Sequence, residues 1–161
     1  MPAAAARVSV PPSPSKPMPA HELRFNETIA APVTAVFEFL SIHENFAALF
    51  GSRCLRIRAG DDPSEPNGLG SIRRIGPGSL SFDEKIVGFE RPTRLAYTIV
   101  RGGPLKNHLG TIHLKETGRG TELDYLIRFD GKFPGAAALV QRALGLAWRR
   151  SARKAFARIE C

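Results

Sequence analysis

The sequence predicts an α+β domain in which a curved antiparallel sheet of about seven strands wraps around a long C-terminal helix, with two short helices after the first strand. Three observations predict it. Strand-like alternation dominates the middle of the chain, with short turns between runs. The stretch "GTIHLKETGRGTELDYLIRF" (110–129) is a hairpin with one wet and one apolar face, because Leu123, Tyr125, Ile127 and Phe129 alternate with Glu122, Asp124 and Arg128. The last segment changes to helical spacing and continues for about 24 residues, roughly 36 Å of helix.

The opening "MPAAAARVSVPPSPSKPMPA" is proline-rich and lacks a continuous apolar segment after a basic start, so it is a poor signal peptide. Pro11, Pro12, Pro14, Pro17 and Pro19 oppose helix and sheet alike. Residues 1–20 are expected to be a disordered tail, Met18 is a candidate translation start, and residues 21–161 are expected to form the folded domain. "ELRFNETI" reads as the first strand, with Leu23, Phe25 and Ile29 in phase. In "AAPVTAVFEFLS", Pro32 suits a first helical turn, and Val33, Val36, Phe37 and Leu40 recur at helical spacing. "HENFAALF" is a second short helix with Gly51 as its C-cap.

A strand around Cys54–Arg58 follows, then the turn-rich "AGDDPSEPNGLG". Next come "GSIRRI", "LSFDEKIVGFE" and "LAYTIV", separated by "GPGS", "RPTR" and "RGGP". Consecutive strands joined by short turns favour an antiparallel meander. The terminal helix, from about Ala136 to Ile159, carries Val140, Leu144, Ala147, Trp148, Ala155 and Ile159 on one stripe. A strongly twisted sheet curls, and a single helix seldom fills it, so a cavity is expected between them.

Size and composition bound the function. A chain of 161 residues with 43% hydrophobic and 24% charged content fits one globular domain. No apolar run approaches a membrane span of about 20 residues. Two cysteines, Cys54 and the C-terminal Cys161, make a poor staple, so free thiols and a cytoplasmic setting are expected. The net charge of +8 is partly local. Arg142, Arg149 and Arg153 flank one edge of the helical stripe and Arg150, Lys154 and Arg158 the other, with Glu160 as the only acid nearby. An anionic membrane surface is therefore a candidate partner. Nucleic acid is disfavoured, because few aromatic residues interleave with these cations.

The residues "IAAPVTAVFEFLS", "GLGSIRRI", "FDEKIVGFERPTRLAYTI" and "GTELDYLIRF" occur in an order and spacing similar to those of the SRPBCC superfamily, the helix-grip proteins. That superfamily includes START lipid-transfer domains, pollen-allergen-like proteins and aromatic polyketide cyclases. The resemblance covers about residues 22–160 and is closest to the bacterial polyketide cyclase/dehydrase-like branch. It implies a helix-grip fold with a hydrophobic small-molecule cavity. The chain departs from many relatives in "NFAALFGSRCLRI", which lacks a tryptophan.

No phosphate-binding loop, HExxH, CxxC or GxSxG occurs, and "GLGSIR" lacks the third glycine and the context of a dinucleotide fingerprint. No cofactor or metal is expected. His108 and His113 are an odd number apart, so a regular strand points them to opposite faces. The candidate catalytic residues are His108, in phase with Ile112, and Glu84, which lies among Leu80, Phe82 and Ile86. Against Glu84 stands a bulge, hinted at by Val87 and Phe89, that turns it outward or pairs it with Arg73. Tyr97 and Tyr125 lie in apolar phase and are candidates to hold a ligand carbonyl, and Arg73 to meet an anionic oxygen. Phe82, Ile112, Ile127, Leu144 and Trp148 complete the expected ligand-binding set. The functions that follow are binding of a hydrophobic or aromatic molecule, with cyclase or dehydratase chemistry; a lipid or quinone carrier docking on membranes; or a partner-binding module of a ribosome or chaperone.

Overall fold

The computed structural model describes residues 16–159. Most of the expected tail, residues 1–15, lies outside the described residues, as does Cys161. In chain order the elements are β1 (His21–Ile29), α1 (Val33–Ser41), α2 (His43–Ala48), β2 (Cys54–Arg58), β3 (Ile72–Ile75), β4 (Phe82–Glu90), β5 (Arg94–Arg101), β6 (Leu105–Thr117), β7 (Gly120–Gly131) and α3 (Ala136–Phe156). A single 3₁₀ turn, Gly78–Leu80, joins β3 to β4.

The seven strands form one antiparallel sheet in the order β1-β7-β6-β5-β4-β3-β2. Six of these strands are the meander that the turn spacing predicts, and β1 returns to pair with β7. β7 shows the clean alternation read from its sequence: Leu123, Tyr125, Ile127 and Phe129 are buried, and the residues between them are not. The inner faces of β1 and β4–β7 and the stripe of α3 enclose the core, with α1 and α2 closing one side through Val36, Phe37, Leu40 and Phe46. Trp148 stacks on Phe25 at 4.3 Å between ring centroids, which ties α3 to β1. Its indole Nε1 donates to Glu27 at 3.0 Å.

Two local devices shape the interior. Gly51 adopts φ 65° after α2, the left-handed conformation expected of a helix-ending glycine. The first free N–H of α1, that of Val33, donates to the Glu116 carboxylate at 3.0 Å, so an acid from β6 sits at the positive end of the helix. The helix α3 starts where the sequence places it but is 21 residues long and ends at Phe156, with turns continuing to Ile159.

The sheet carries bulges at the places that matter for the interior. Between Ile86 and Gly88 the β4–β5 register shifts by one, leaving Val87 as the extra, exposed residue. The shift restores the inward phase for Phe89, whose ring meets Phe37 edge-on at 5.2 Å. In β6, Asn107 and His108 together oppose Phe129, and Asn107 takes φ 51°. This second bulge buries Leu105 and leaves Lys106 exposed; continued regular alternation would aim the lysine inward.

Candidate functional site

Because α3 crosses the concave face without filling it, a cavity of about 240 Å³ remains between helix and sheet. Its walls come from most of the fold: Phe82 and Glu84 of β4, Tyr97 and Ile99 of β5, Leu105 and His108 of β6, Tyr125 and Ile127 of β7, and Val140 and Leu144 of α3. Phe46 and Phe50, one helical turn apart, close the end nearest α2. The lining is mainly apolar, and its polar groups are few and convergent.

Tyr97 and Tyr125 are fully enclosed, and their hydroxyls bond to one another. Burial pushes both phenols above their ordinary range, so both stay protonated. The register puts Tyr97 directly opposite Gly110. A Cβ at position 110 would stand 2.3 Å from Tyr97 Cζ, so the missing side chain is the space the ring occupies.

His108 is 8% exposed and its ring centroid lies 5.3 Å from that of Tyr97. Its Nδ1 is buried without a partner among the described residues. Loss of hydration, with help from the charge of Arg73, lowers its pKa to about 4, so the imidazole is neutral near pH 7. His113, five residues on, is exposed on the other face of the sheet.

Glu84 is buried and receives a hydrogen bond of 2.8 Å from Arg73 Nε to its Oε2. Arg73 Nη2 also lies 2.8 Å from that oxygen, but without hydrogen-bond alignment. Burial raises the Glu84 pKa, and the arginine pulls it back down. The bulge read from Val87 therefore exists but does not turn Glu84 outward; the pairing with Arg73 occurs inside. Arg73 itself is 2% exposed, with its guanidinium carbon 3.8 Å from the Phe46 ring centroid and 4.9 Å from that of Tyr97. Arg74, one residue on, points out and grips Asp83 at 2.8 Å together with Arg101 at 2.6 Å. Those two cations hold the Asp83 carboxyl well below the usual range.

Seven of the ten sequence-selected residues thus meet at this cavity: His108, Glu84, Tyr97, Tyr125, Phe82, Ile127 and Leu144. Three do not line it. Arg73 and Ile112 line a small chamber of about 10 Å³ on the far side of Phe46 and Tyr97, shared with His43 and Asn67. Trp148 packs behind Tyr125 and Phe50, at 5.7 and 5.6 Å between centroids. Among residues the sequence reading passed over, Phe46, Phe50, Ile99 and Val140 line the cavity; the i, i+4 spacing of the two phenylalanines was the available signal. His43 is also buried, with Nε2 3.3 Å from Ser71 Oγ and a pKa lowered to about 3, first by burial and then by the charges of Arg73 and Arg56. Among the described residues no group of three or more acidic, histidine or cysteine side chains could hold a metal ion. No described helix is long and apolar enough to cross a membrane.

A family profile described as "Polyketide cyclase / dehydrase and lipid transport" matches residues 20–160. The chain belongs to this polyketide cyclase/dehydrase and lipid transport family. With it the chain joins the SRPBCC superfamily, and the sheet-around-helix architecture is the helix-grip fold. Solved structures agree on the fold. A Streptomyces sp. R1128 aromatase/cyclase, ZhuI, superposes with a TM-score of 0.63 at 15% identity, over 87% of this chain and 93% of that one. A Thermobifida fusca protein gives 0.63 at 21% identity, over 86% and 95%. A Chromobacterium violaceum protein gives 0.62 at 15% identity, over 87% and 98%. No curated protein matches the chain in sequence.

Proposed function

We propose that this family member binds a hydrophobic or aromatic small molecule in the cavity between sheet and α3, and acts on it in the manner of a polyketide cyclase or dehydratase. The observation that carries the reading is the convergence of His108, Glu84 and the Tyr97–Tyr125 pair on one enclosed, otherwise apolar space. Of the two tyrosine hydroxyls, one donates to the other and the acceptor keeps its own hydrogen, which is free for a guest carbonyl. Glu84, its pKa raised by burial above the ordinary carboxylate range, is the stronger base of the two and the better placed proton acceptor for an acidic C–H beside such a carbonyl. His108, shifted down to about 4, is the weaker base and serves as a hydrogen-bond partner. The apolar walls fold a flexible guest into a reactive conformer, a proximity effect. Arg73 acts through Glu84, holding the carboxylate in place.

The test is native mass spectrometry of protein purified from its own host, beside a Leu144→Trp variant that fills the cavity. A retained small molecule in the wild type and its loss in the variant are expected. Absence of any retained mass at low salt, with no uptake from a host lipid and metabolite extract, overturns the reading.

A second reading rests on a separate observation. The outer side of α3 exposes Leu139 and Leu146 among Arg142, Arg149, Arg150, Arg153 and Lys154, none of which pairs with a described carboxylate. Unpartnered cations around exposed leucines fit an anionic bilayer, on which a lipid or quinone carrier would dock. Salt-sensitive binding to anionic vesicles supports it, and equal binding to neutral and anionic vesicles counts against it. The cytoplasmic setting belongs to the same proposal; its support is the free thiol of Cys54.

A further inference from the structure

We propose that the cavity selects neutral aromatic guests bearing a hydrogen-bond donor and rejects carboxylates and phosphates, because the charged group facing it is Glu84 while the balancing Arg73 stands behind the wall. The inference rests on the cavity being the guest site and names the class of guest.

The argument starts from which charges reach the space. Among the described residues no lysine or arginine lines the cavity; its ionisable lining groups besides the tyrosines are Glu84 and His108. The guanidinium of Arg73 is screened by the rings of Phe46 and Tyr97, which both face the cavity. Arg73 opens instead into the small chamber beside His43 and Asn67. Its Nε is already committed to Glu84. An incoming carboxylate or phosphate would lose its water, meet a carboxylate of like charge, and find no cation to approach.

A neutral hydroxyl meets the opposite situation. It can give its hydrogen to Glu84, on the cavity wall, and accept one from the tyrosine O–H that the Tyr97–Tyr125 bond leaves over. A full cation gains less than the bare carboxylate implies. The Arg73–Glu84 pair is neutral as a unit, so an ammonium entering the cavity would give up hydration without a net counter-charge. The volume of about 240 Å³ lies below the roughly 300–1,000 Å³ of drug-sized pockets, which limits the guest to two or three fused rings. Long-chain fatty acids and phospholipids fail on both charge and size.

Isothermal titration calorimetry on the full chain at pH 7 tests this with four matched probes: naphthalen-2-ol, 2-methylnaphthalene, 2-naphthoate and naphthalen-2-ylmethylammonium. The expected order has the naphthol at least about tenfold tighter than each of the others, the worth of one hydrogen bond to a charged or buried group. Naphthoate or the ammonium binding as tightly as the naphthol overturns the selection while leaving the small-molecule reading intact. Failure of all four to bind overturns both. A double variant, Arg73→Met with Glu84→Gln, removes the charge and keeps the volume. If near-UV circular dichroism shows it folded, its discrimination against naphthoate is expected to fall by at least about threefold, the remainder being the cost of desolvating the guest's own carboxylate; persistence of the full discrimination overturns the assignment to Glu84. If it does not fold, the four wild-type affinities decide alone.

Discussion

Replacing Gly110 by alanine probes how the polar end of the cavity is assembled. The added Cβ would stand 2.3 Å from Tyr97 Cζ, 2.4 Å from Cε1 and 2.6 Å from the hydroxyl oxygen. Ordinary contact needs about 3.5–4.0 Å, so the ring must retreat by roughly 1 Å or more. Its other neighbours leave little room: Phe46 lies edge-on at 5.2 Å and the Arg73 guanidinium at 4.9 Å from the ring centroid. Overpacking of this kind costs about 1–3 kcal/mol, and breaking the Tyr97–Tyr125 hydrogen bond about 1 kcal/mol more. Removing a strand glycine returns about 0.5–1 kcal/mol. The net loss is near 2 kcal/mol, or roughly 4–8 °C in Tm for a domain of this size. Urea unfolding followed by Trp148 fluorescence measures it. Gly118→Ala is the control, because nothing lies within 4 Å of the Cβ it would add; it should stay within about 0.5 kcal/mol of wild type. In a Tyr97→Ala background the Gly110→Ala loss should vanish, giving a coupling energy of about 2 kcal/mol. If Gly110→Ala is as stable as Gly118→Ala, the close approach of Tyr97 to this glycine is not what places the tyrosine pair.

Other outcomes follow from the same interior. His43 and His108 are buried neutral, with pKa values lowered to about 3 and about 4 against an unfolded value of 6.5. The unfolded chain binds these protons first, so the stability they preserve is complete above pH 6.5 and is lost as the pH falls toward 4 and then 3; over that span His43 contributes on the order of 5 kcal/mol and His108 on the order of 3 kcal/mol. Glu84, raised, works in the other direction, adding stability as the pH falls through its folded pKa toward its unfolded one. Urea titrations from pH 7.5 to 4 should show falling stability, and a His43→Gln/His108→Gln variant should flatten the slope; an unchanged slope refutes neutral burial. Single changes Arg73→Met or Glu84→Leu strand one buried charge and should cost about 3–5 kcal/mol, whereas Arg73→Met with Glu84→Leu should lie much closer to wild type. Reversing Arg149, Arg150 and Arg153 to glutamate should weaken sedimentation with anionic vesicles at least about tenfold while leaving the urea midpoint nearly unchanged, since all three are exposed.

The fold was legible because its signals are local. Period-2 alternation in β7 and helical spacing in α3 each decide an element without reference to the rest, and short turns then leave few ways to connect the strands. His108 was legible for a similar reason. It is the second of the two bulge residues, next to the regular part of β6, so counting back from Ile112 by twos still reaches the correct face. Arg73 shows where such counting stops. Alternation says that only one of Arg73 and Arg74 faces inward, and Arg73 does; it cannot say that two aromatic rings, one from α2 and one from β5, stand between that side chain and the cavity. Phe46 and Phe50 were hidden likewise. Their helical spacing marks a buried face, but whether it packs on α1 or lines a space depends on how α2 sits under the sheet. Trp148 lies on the inward stripe as read, yet Tyr125 and Phe50 take the cavity side and leave it the back.

The placement of the ion pair bears on why an interior so apolar tolerates it. A buried arginine and glutamate are rarely a net gain over hydrophobic residues of equal volume. Here they lie across adjacent strands, at Arg73 and Glu84 in direct register between β3 and β4, where each fixes the other's rotamer. The guanidinium is also stacked against Phe46, a residue of α2. One side chain therefore ties the β3–β4 half of the sheet to the helix that closes the cavity, while delivering a carboxylate to the cavity wall. A hydrophobic pair would supply the tie but not the carboxylate. A lone glutamate would be driven to protonate by desolvation and would lose its charge. The arrangement keeps one oriented acceptor on the wall of an apolar cavity, which the proposed recognition of a guest hydroxyl needs and folding alone does not.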